Sequence, residues 1–186
     1  MKRFSFNSLA LASLIAAASL SANAATLNAG KSQLGFSFKQ MGVPTEGRFK
    51  AFTANVDFDA AKPDATKAEF TVDLASIDVG SSDGNNAVKG KDFFNTASGP
   101  KATFTAKSVK ALGGGKFEAR GPLTMKGVTR DIVSTFTAKT AGAETTLEGT
   151  FPLQRLQFKI GEGAWDDTDA IADLVTVKYK FVLNGK

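Results

Sequence analysis

Eight segments of the chain alternate apolar and polar residues with a period of two, and no other feature limits the fold as strongly. In "KATFTAKSV", for example, Ala102, Phe104 and Ala106 share one parity, while lysine and threonine occupy the other from 101 to 107. Successive side chains of a strand point to opposite faces, so the pattern predicts strands that bury one face. The eight segments are 33–41, 52–59, 68–76, 101–109, 115–127, 129–140, 145–153 and 173–183.

Short stretches rich in glycine, proline, asparagine and aspartate separate these segments and predict turns. They read "GVPTEG", "AAKPDA", "GSSDGNN", "LGGGK", "MKGVT" and "TAGAE". Connections this short favour antiparallel neighbours. We therefore predict an all-β fold, an eight-stranded antiparallel up-and-down barrel, because closure leaves no free sheet edge.

The inward parity mixes large and small side chains. The chain has 16 Phe but one Trp and one Tyr, and residues such as Ala54, Ala68 and Gly149 share the inward parity with Phe. An eight-stranded barrel is at the size where the interior is either just filled or holds one small ligand. The pattern fits both a partly empty lumen and an interdigitated core, and by itself slightly favours the filled core.

The first 24 residues have the features of a secretory signal peptide. A basic start, "MKR", precedes the apolar run "LALASLIAAASL", and "ANA" at 22–24 provides a small-residue cleavage pattern. The run is short and rich in Ala and Ser, which disfavours a membrane anchor. We expect cleavage after Ala24, a single domain at 25–186 and a location in the periplasm.

The composition excludes several chemistries. The chain has no His and no Cys, which removes the Ser-His-Asp triad, an imidazole base and the usual zinc ligands. Its lysines are dispersed, so a nucleic-acid surface is not indicated. Asp166, Asp167 and Asp169 lack the spacing of an EF-hand loop and read as a solvated acidic loop. We predict a non-enzymatic protein without metal or cofactor.

Several motifs together resemble the YceI-like family. They are "SQLGFSFKQMGVPTEGRFKAF", "LASIDVG", "KGKDFFNTASGPKATF", "GPLTMKGVTRDI" and "FKIGEGAWDDTDAIADLVTVKYKFVL", in the family's order and spacing. The resemblance covers the whole chain after residue 24. It implies a secreted, lipocalin-like barrel that carries a polyisoprenoid or other long-chain lipid in a narrow cavity open at one end.

The resemblance also implies a short helix across one barrel end, here near residues 86–94. Phe93 and Phe94 would then reach from that helix onto neighbouring walls and close the end. Many family members carry an Arg-Asp pair and a His just before this element, whereas this chain has Gly84, Asn85 and Ala87. The family's charged head-group contacts therefore do not carry over at these positions.

We expect the inward-facing residues to contact the ligand. For each of them, simple packing within the wall is the alternative. Two further residues are candidates for the head group or the rim. Arg155 could pair with a phosphate or carboxylate, or instead form an internal ion pair. Trp165 is either a ring at the mouth or a structural plug beside the helix, and the plug is favoured because Trp is usually largely buried. The predicted lining is Leu34, Phe36, Phe38, Phe52, Val56, Phe70, Val72, Phe104, Phe117, Leu123, Phe136, Phe151, Val177, Tyr179 and Phe181.

Three functional hypotheses follow. The first is periplasmic transport or storage of a long-chain isoprenoid lipid, such as a quinone or prenyl phosphate, as the protein's partner. The second is a stress-response or protein-interaction barrel with a filled core. The third, an enzyme acting on the lipid, is the weakest, because no motif places a pair of catalytic groups. The resemblance leaves room for a homodimer, although the sequence indicates no apolar patch for its interface.

Overall fold

Twelve strand segments and one short α-helix make up the described part of the chain, residues 25–185 of the computed structural model. The predicted signal peptide, residues 1–24, lies outside the described residues. The helix is α1 (Ser82–Lys89), and single turns of 3-10 helix lie at Pro63–Ala65, Leu74–Ser76, Arg155–Phe158 and Gly163–Trp165. The strands are β1 (Ala25–Leu27), β2 (Gln33–Gln40), β3 (Val43–Phe49), β4 (Phe52–Asp57), β5 (Lys67–Asp73), β6 (Ile77–Asp78), β7 (Lys101–Thr105), β8 (Ser108–Gly113), β9 (Lys116–Met125), β10 (Val128–Ala141), β11 (Glu144–Gln154) and β12 (Leu174–Asn184).

The strands form a closed antiparallel barrel. From β4 through β5, β7, β9, β10 and β11 to β12, each neighbour in the sheet follows in chain order. The edge of β12 that faces away from β11 pairs with β2 over residues 176–180 and with β1 at Leu183 and Asn184. β1 pairs in turn with β4, which closes a ring of eight strands. The predicted eight-stranded up-and-down barrel with one short helix is confirmed.

The two ends of the barrel differ. At one end, here called the helix end, α1 packs beside β6, Phe93 after α1 contacts Trp165, and Gln40 at the end of β2 forms a bridge with Ile171. At the other, here called the closed end, β1 fills the gap between β4 and β12, and Val56 and Val109 are 1% and 3% exposed. Any opening to the interior must therefore lie at the helix end.

The prediction of a turn at "GVPTEG" is wrong, because most of this segment belongs to strand β3. Only Met41 and Gly42 form the turn, both with positive φ, and Val43–Phe49 pairs with β2. Along its other edge β3 pairs with β6 over two residues only, so Pro44 removes no ladder hydrogen bond there. Gly47 leaves room for the Phe36 ring, which a Cβ at this position would overlap. Pro44 and Gly47 therefore lie within a strand whose second edge is mostly unpaired, and they do not terminate it.

The predicted helix at 86–94 is displaced toward the N-terminus in the structure. α1 begins after Ser81, whose Oγ accepts a hydrogen bond from the Gly84 N–H, and it ends at Lys89. The backbone N–H of Gly90 then bonds the Ala87 carbonyl, and Phe93 and Phe94 lie in the following turn. The serine N-cap, rather than the aromatic pair, fixes where the helix starts.

A close approach between strands explains one glycine of the "GPLTMKG" motif. β9 pairs with both β7 and β8, and residues 105–107 bend between these two strands. Gly121 lies opposite the bend, and a Cβ there would overlap the Thr105 carbonyl oxygen. The bend therefore requires glycine at position 121 because two backbones meet there.

We expect Gly121→Ala to lower the free energy of unfolding by about 2 kcal/mol or more, since one backbone must move away to admit the methyl group. Urea denaturation checks this. Gly99→Ala is the matched control, because nothing lies within 4 Å of a Cβ at that position. Equal stability of the two variants would show that the bend is not constrained by this contact.

Candidate functional site

The barrel encloses a cavity of about 640 Å³, so the interior is not filled. This volume is within the range of small-molecule binding sites. Inward residues such as Phe36, Phe104 and Phe151 keep some exposed surface, because they face this space rather than a neighbouring side chain. Fourteen of the fifteen predicted lining residues border the cavity: Leu34, Phe36, Phe38, Phe52, Val56, Phe70, Val72, Phe104, Leu123, Phe136, Phe151, Val177, Tyr179 and Phe181.

The exception is Phe117, for which the expected lining position is wrong. Its side chain is 5% exposed and packs against Phe58 and Phe136, with ring centroids 5.1 Å and 5.4 Å away. Phe58 follows β4 and folds in at the closed end, where it separates Phe117 from the cavity. The alternating pattern correctly predicted that Phe117 points inward, but Phe58, which follows β4, covers its ring.

Aromatic rings divide the interior into two halves. Phe181 on β12 stacks on Tyr179 and on Phe70 of β5, with centroids 4.8 Å apart in both pairs. Phe181 belongs to the buried cluster at the closed end, whereas Leu123 and Leu153 belong to the cluster at the helix end. The cavity borders residues of both clusters, so the Phe70–Phe181 contact narrows it without filling it.

The mouth of the cavity lies at the helix end. Gln40, Ser81, Asp83 and Trp165 all border the cavity, and all four are exposed to solvent. No side chain with comparable exposure borders the cavity at the closed end within residues 25–185. A ligand would therefore enter beside α1.

The residues that depart from the family pattern have structural roles at this mouth. Gly84 and Ala87 border the cavity, and a Cβ on Gly84 would come within 2.9 Å of a Val79 methyl group. Asn85 accepts a hydrogen bond from the Val79 N–H and donates one to Asp78. α1 is thereby fixed to the strand beside it by an amide instead of by charged groups.

Asp78 is the outer anchor of this arrangement. It accepts hydrogen bonds from Lys50, Arg48, Asn85 and the Gly80 N–H, with the Lys50 ammonium 2.9 Å away. The hydrogen bond from Lys50, with those from Gly80, Asn85 and Arg48, holds the pKa of the Asp78 carboxyl well below its usual range. The C-terminal end of β3 and the start of α1 are therefore linked through one ionised carboxylate.

Phe93 and Phe94 diverge from the turn after α1. The Phe94 ring meets Phe49 edge-on at 5.9 Å, and the Phe93 ring packs on Trp165 at 5.5 Å. Both border the cavity. Adjacent aromatic residues therefore cover two different walls of the mouth.

Trp165 lies at the rim of the mouth. Its side chain is 42% exposed, borders the cavity and contacts Phe93. The expectation that Trp165 is largely buried is wrong, whereas its role as a ring at the mouth or as a structural plug beside the helix stays a prediction.

Arg155 borders the cavity, but its guanidinium serves the backbone. It is 3% exposed and donates hydrogen bonds to the carbonyl oxygens of Ile160, Gly161, Ile171 and Ala172, at 2.7–3.2 Å. Burial lowers the pKa of the guanidinium below its ordinary value, partly offset by the Asp173 and Asp166 carboxylates. These contacts tie the loop between β11 and β12 to the barrel. A head group could be bound only by the guanidinium N–H that these four hydrogen bonds leave over.

Lys126 joins three of the sequence motifs at the helix end. Its ammonium donates to the carbonyls of Asp92 and Lys159 and pairs with Glu162 at 2.9 Å. The Asp92 carbonyl also accepts hydrogen bonds from the N–H groups of Gly161 and Glu162. The "MKGVT", "KDFF" and "KIGEG" segments therefore meet around one lysine and one backbone carbonyl.

One polar pair interrupts the apolar wall in the middle of the barrel. The hydroxyl oxygens of Ser134 and Tyr179 lie 2.7 Å apart, and Ser134 is 4% exposed. Burial raises the pKa of Tyr179 from 10.0 to about 12, and the hydrogen bond from Ser134 reduces the shift. Sequence reasoning placed Tyr179 on the wall but missed the pair, because its members are 45 residues apart in the chain.

Within residues 25–185, no helix is both long and apolar enough to cross a membrane. Over the same residues, no cluster of three or more Asp, Glu, His or Cys side chains could hold a metal ion.

Comparison with known proteins identifies relatives of this chain. Residues 26–183 match the model of the YceI-like domain. A UPF0312 protein of Shewanella oneidensis is 36% identical over 135 residues, which is 71% of each chain. A UPF0312 protein of Ectopseudomonas mendocina is 38% identical over 87 residues, or 47% of this chain and 46% of the relative.

Solved structures show the same fold. BcnA of Burkholderia cenocepacia is 40% identical, with a TM-score of 0.82 over 84% of this chain and 98% of the other. The YCEI protein of Campylobacter jejuni has a TM-score of 0.67 at 25% identity, over 75% of this chain and 84% of its own. A polyisoprenoid binding domain from Saccharophagus degradans has a TM-score of 0.69 at 16% identity, over 88% and 99% of the two chains.

We expect Arg155→Lys to lower the free energy of unfolding by about 2–4 kcal/mol, because lysine lacks the planar fork that serves four carbonyls. Chemical denaturation measures this. Arg130→Lys on the exposed face of β10 is the control and should change stability by less than about 0.5 kcal/mol. An Arg155→Lys variant of full stability that loses only anionic ligands would instead support the head-group role.

The free energy of unfolding should fall as the pH rises above about 10 and continue to fall through about 12. The folded chain retains the Tyr179 proton that the unfolded chain releases, so this contribution is complete below pH about 10 and lost as pH rises through about 12. Tyrosinate absorbance reports this group alone, because the chain has one Tyr. Tyr179→Phe should lose less stability over this range, and ionisation near pH 10 in the folded chain would contradict the burial.

Proposed function

The chain belongs to the YceI-like family, and we propose that it is a carrier that holds one long-chain isoprenoid lipid inside its barrel. The observation that carries this proposal is the apolar cavity, open beside α1 and closed at the other end. Such a cavity favours an elongated, largely hydrocarbon ligand over a polar metabolite.

Hydrophobic transfer supplies the affinity. Each buried CH₂ group contributes about 0.8 kcal/mol, so a chain that buries a dozen carbons gains roughly 10 kcal/mol before the costs of association. The aromatic walls around Phe70 and Phe181 offer contact along the chain. Binding therefore does not require a charged head-group site, which agrees with the engagement of Arg155 by backbone carbonyls.

The relatives support an isoprenoid as the ligand class. The structural neighbour from Saccharophagus degradans is named as a polyisoprenoid binding domain, and it shares this fold. We take a quinone or a prenyl phosphate as the cargo of this chain. With the predicted leader at 1–24, the protein would store or move that lipid through the periplasm without altering it.

The cargo can be identified directly. We would purify the full-length precursor's secreted product from the periplasmic fraction, record its native mass and extract it with organic solvent. A discrete additional mass that extracts as an isoprenoid lipid supports the proposal. A bare chain that binds neither quinones nor prenyl phosphates on titration would overturn it.

Filling the cavity should abolish binding. Ala102 on β7 borders the cavity and is 5% exposed, so Ala102→Trp would place an indole in the space of the ligand. We expect at least a tenfold loss of retained lipid, measured by native mass spectrometry on protein whose circular dichroism is unchanged. Thr103→Trp is the control, because Thr103 is exposed on the outer face of the same strand.

Phe70→Arg is the second variant, since it places a charge on the cavity wall where the Phe70 ring now stacks on Phe181. If both folded variants, Ala102→Trp and Phe70→Arg, retain as much lipid as Thr103→Trp, the ligand does not occupy the barrel.

A further inference from the structure

Tyr179 is the exception among the aromatic residues of the barrel wall. The chain has 16 Phe and one Tyr, and this Tyr faces the cavity from the middle of β12, paired with Leu34 of β2 and Gly149 of β11. Phe would fill the same space without a polar atom that needs a partner. Burying the Tyr179 hydroxyl therefore costs free energy, and wall packing alone does not explain why Tyr rather than Phe occupies this position.

Three neighbouring strands combine to accommodate this hydroxyl. The Tyr179 side chain extends from β12 across β11 to reach Ser134 on β10. It passes over Gly149, where a Cβ would lie 2.6 Å from the Tyr179 oxygen. A Cβ there would also lie 2.5 Å from the Thr135 carbonyl oxygen, so Gly149 makes room both for the hydroxyl and for the neighbouring backbone.

The pair has more hydrogen-bonding capacity than its surroundings use. Each hydroxyl has one O–H donor and two acceptor sites. The contact between Ser134 and Tyr179 uses one of the two donors. Among the described residues, the other donor has only a 3.5 Å contact from Ser134 to the Thr150 carbonyl, which exceeds the usual length of an O–H···O bond. One donor and several acceptor sites therefore remain, on two residues that both border the cavity.

We propose that the Ser134–Tyr179 pair is a polar subsite that binds an uncharged oxygen, a carbonyl or a hydroxyl, carried by the lipid into the middle of the barrel. This inference rests on the proposed function and specifies its ligand. The lipid enters with its oxygen-bearing end inward, so that the oxygen meets the pair while its hydrocarbon chain extends toward the mouth.

The charges around the cavity restrict this oxygen to a neutral group. Among the residues that border the cavity, only Asp83 and Arg155 are charged, and both lie at the helix end. A phosphate or carboxylate at the depth of Tyr179 would be desolvated without a cation, which is costly. A neutral carbonyl or hydroxyl needs only the hydrogen bond that the pair supplies.

The test uses two probes that differ in one oxygen: geranylgeraniol and the hydrocarbon with the same skeleton but no hydroxyl. Affinities for delipidated full-length secreted protein are measured by native mass spectrometry for wild type, Tyr179→Phe and Ser134→Ala. Thr135→Val is the control, because it removes a hydroxyl from the outer face of β10 next to Ser134. The tyrosine Raman doublet reports whether the single Tyr hydroxyl gains a partner.

We expect wild type and Thr135→Val to bind the alcohol about fivefold to tenfold more tightly than the hydrocarbon. Tyr179→Phe and Ser134→Ala should bind the two probes with equal affinity, and in wild type the Raman doublet should change only with the alcohol. Equal affinity of wild type for both probes would overturn this inference and leave the carrier function intact. Failure of wild type to bind either probe would overturn both.

Discussion

Closure of the sheet into a ring of eight strands is the constraint on which the rest of the structure depends. Once β1 joins β12 to β4, every inward side chain shares one lumen, and its radius is set by strand number rather than by side-chain size. Large rings such as Phe70 and Phe181 can then meet across the lumen. Small inward residues such as Ala102 leave space that no other side chain can reach, because the strands cannot move closer. The cavity therefore results from a fixed frame combined with a mixed inward sequence.

The mouth depends on cations that bind backbone rather than ligand. Lys126 and Arg155 between them contact six carbonyl oxygens in the loops that surround the helix end. Loops lack the regular pairing of strands, so their carbonyl groups need such donors when they are buried. The motifs that identify the family, around "MKGVT", "KDFF" and "KIGEG", meet at these contacts. Their association maintains an opening of fixed shape, and it leaves most of the ligand contact to apolar walls.

The sequence predicted the barrel and most of its lining because alternation is a local property, visible within one segment. It failed where a residue's environment is set by a distant segment. Phe117 is covered by Phe58, and Pro44 is tolerated because β3 lies beside a strand of only two residues. The predicted helix began too far along the chain because Ser81, which caps α1, lies in a segment whose composition predicts a turn. The sequence left Arg155 open between a head-group contact and an internal ion pair, because the four carbonyls that it binds belong to a loop whose course only the fold determines.

Affinity and selectivity have different sources in this barrel. Hydrophobic transfer depends on buried apolar area, so an apolar tube binds equally any chain of suitable length and width. Discrimination between such chains must come from the few polar atoms that the wall presents, since an unpaired buried group is penalised whereas a matched one is not. Ser134 and Tyr179 supply such atoms at mid-depth, and Gly149 supplies their space. Because the three residues lie on adjacent strands of a closed ring, the position of the hydroxyl is as fixed as the barrel itself. The structure thus combines a permissive apolar wall with a rigid polar point at mid-depth.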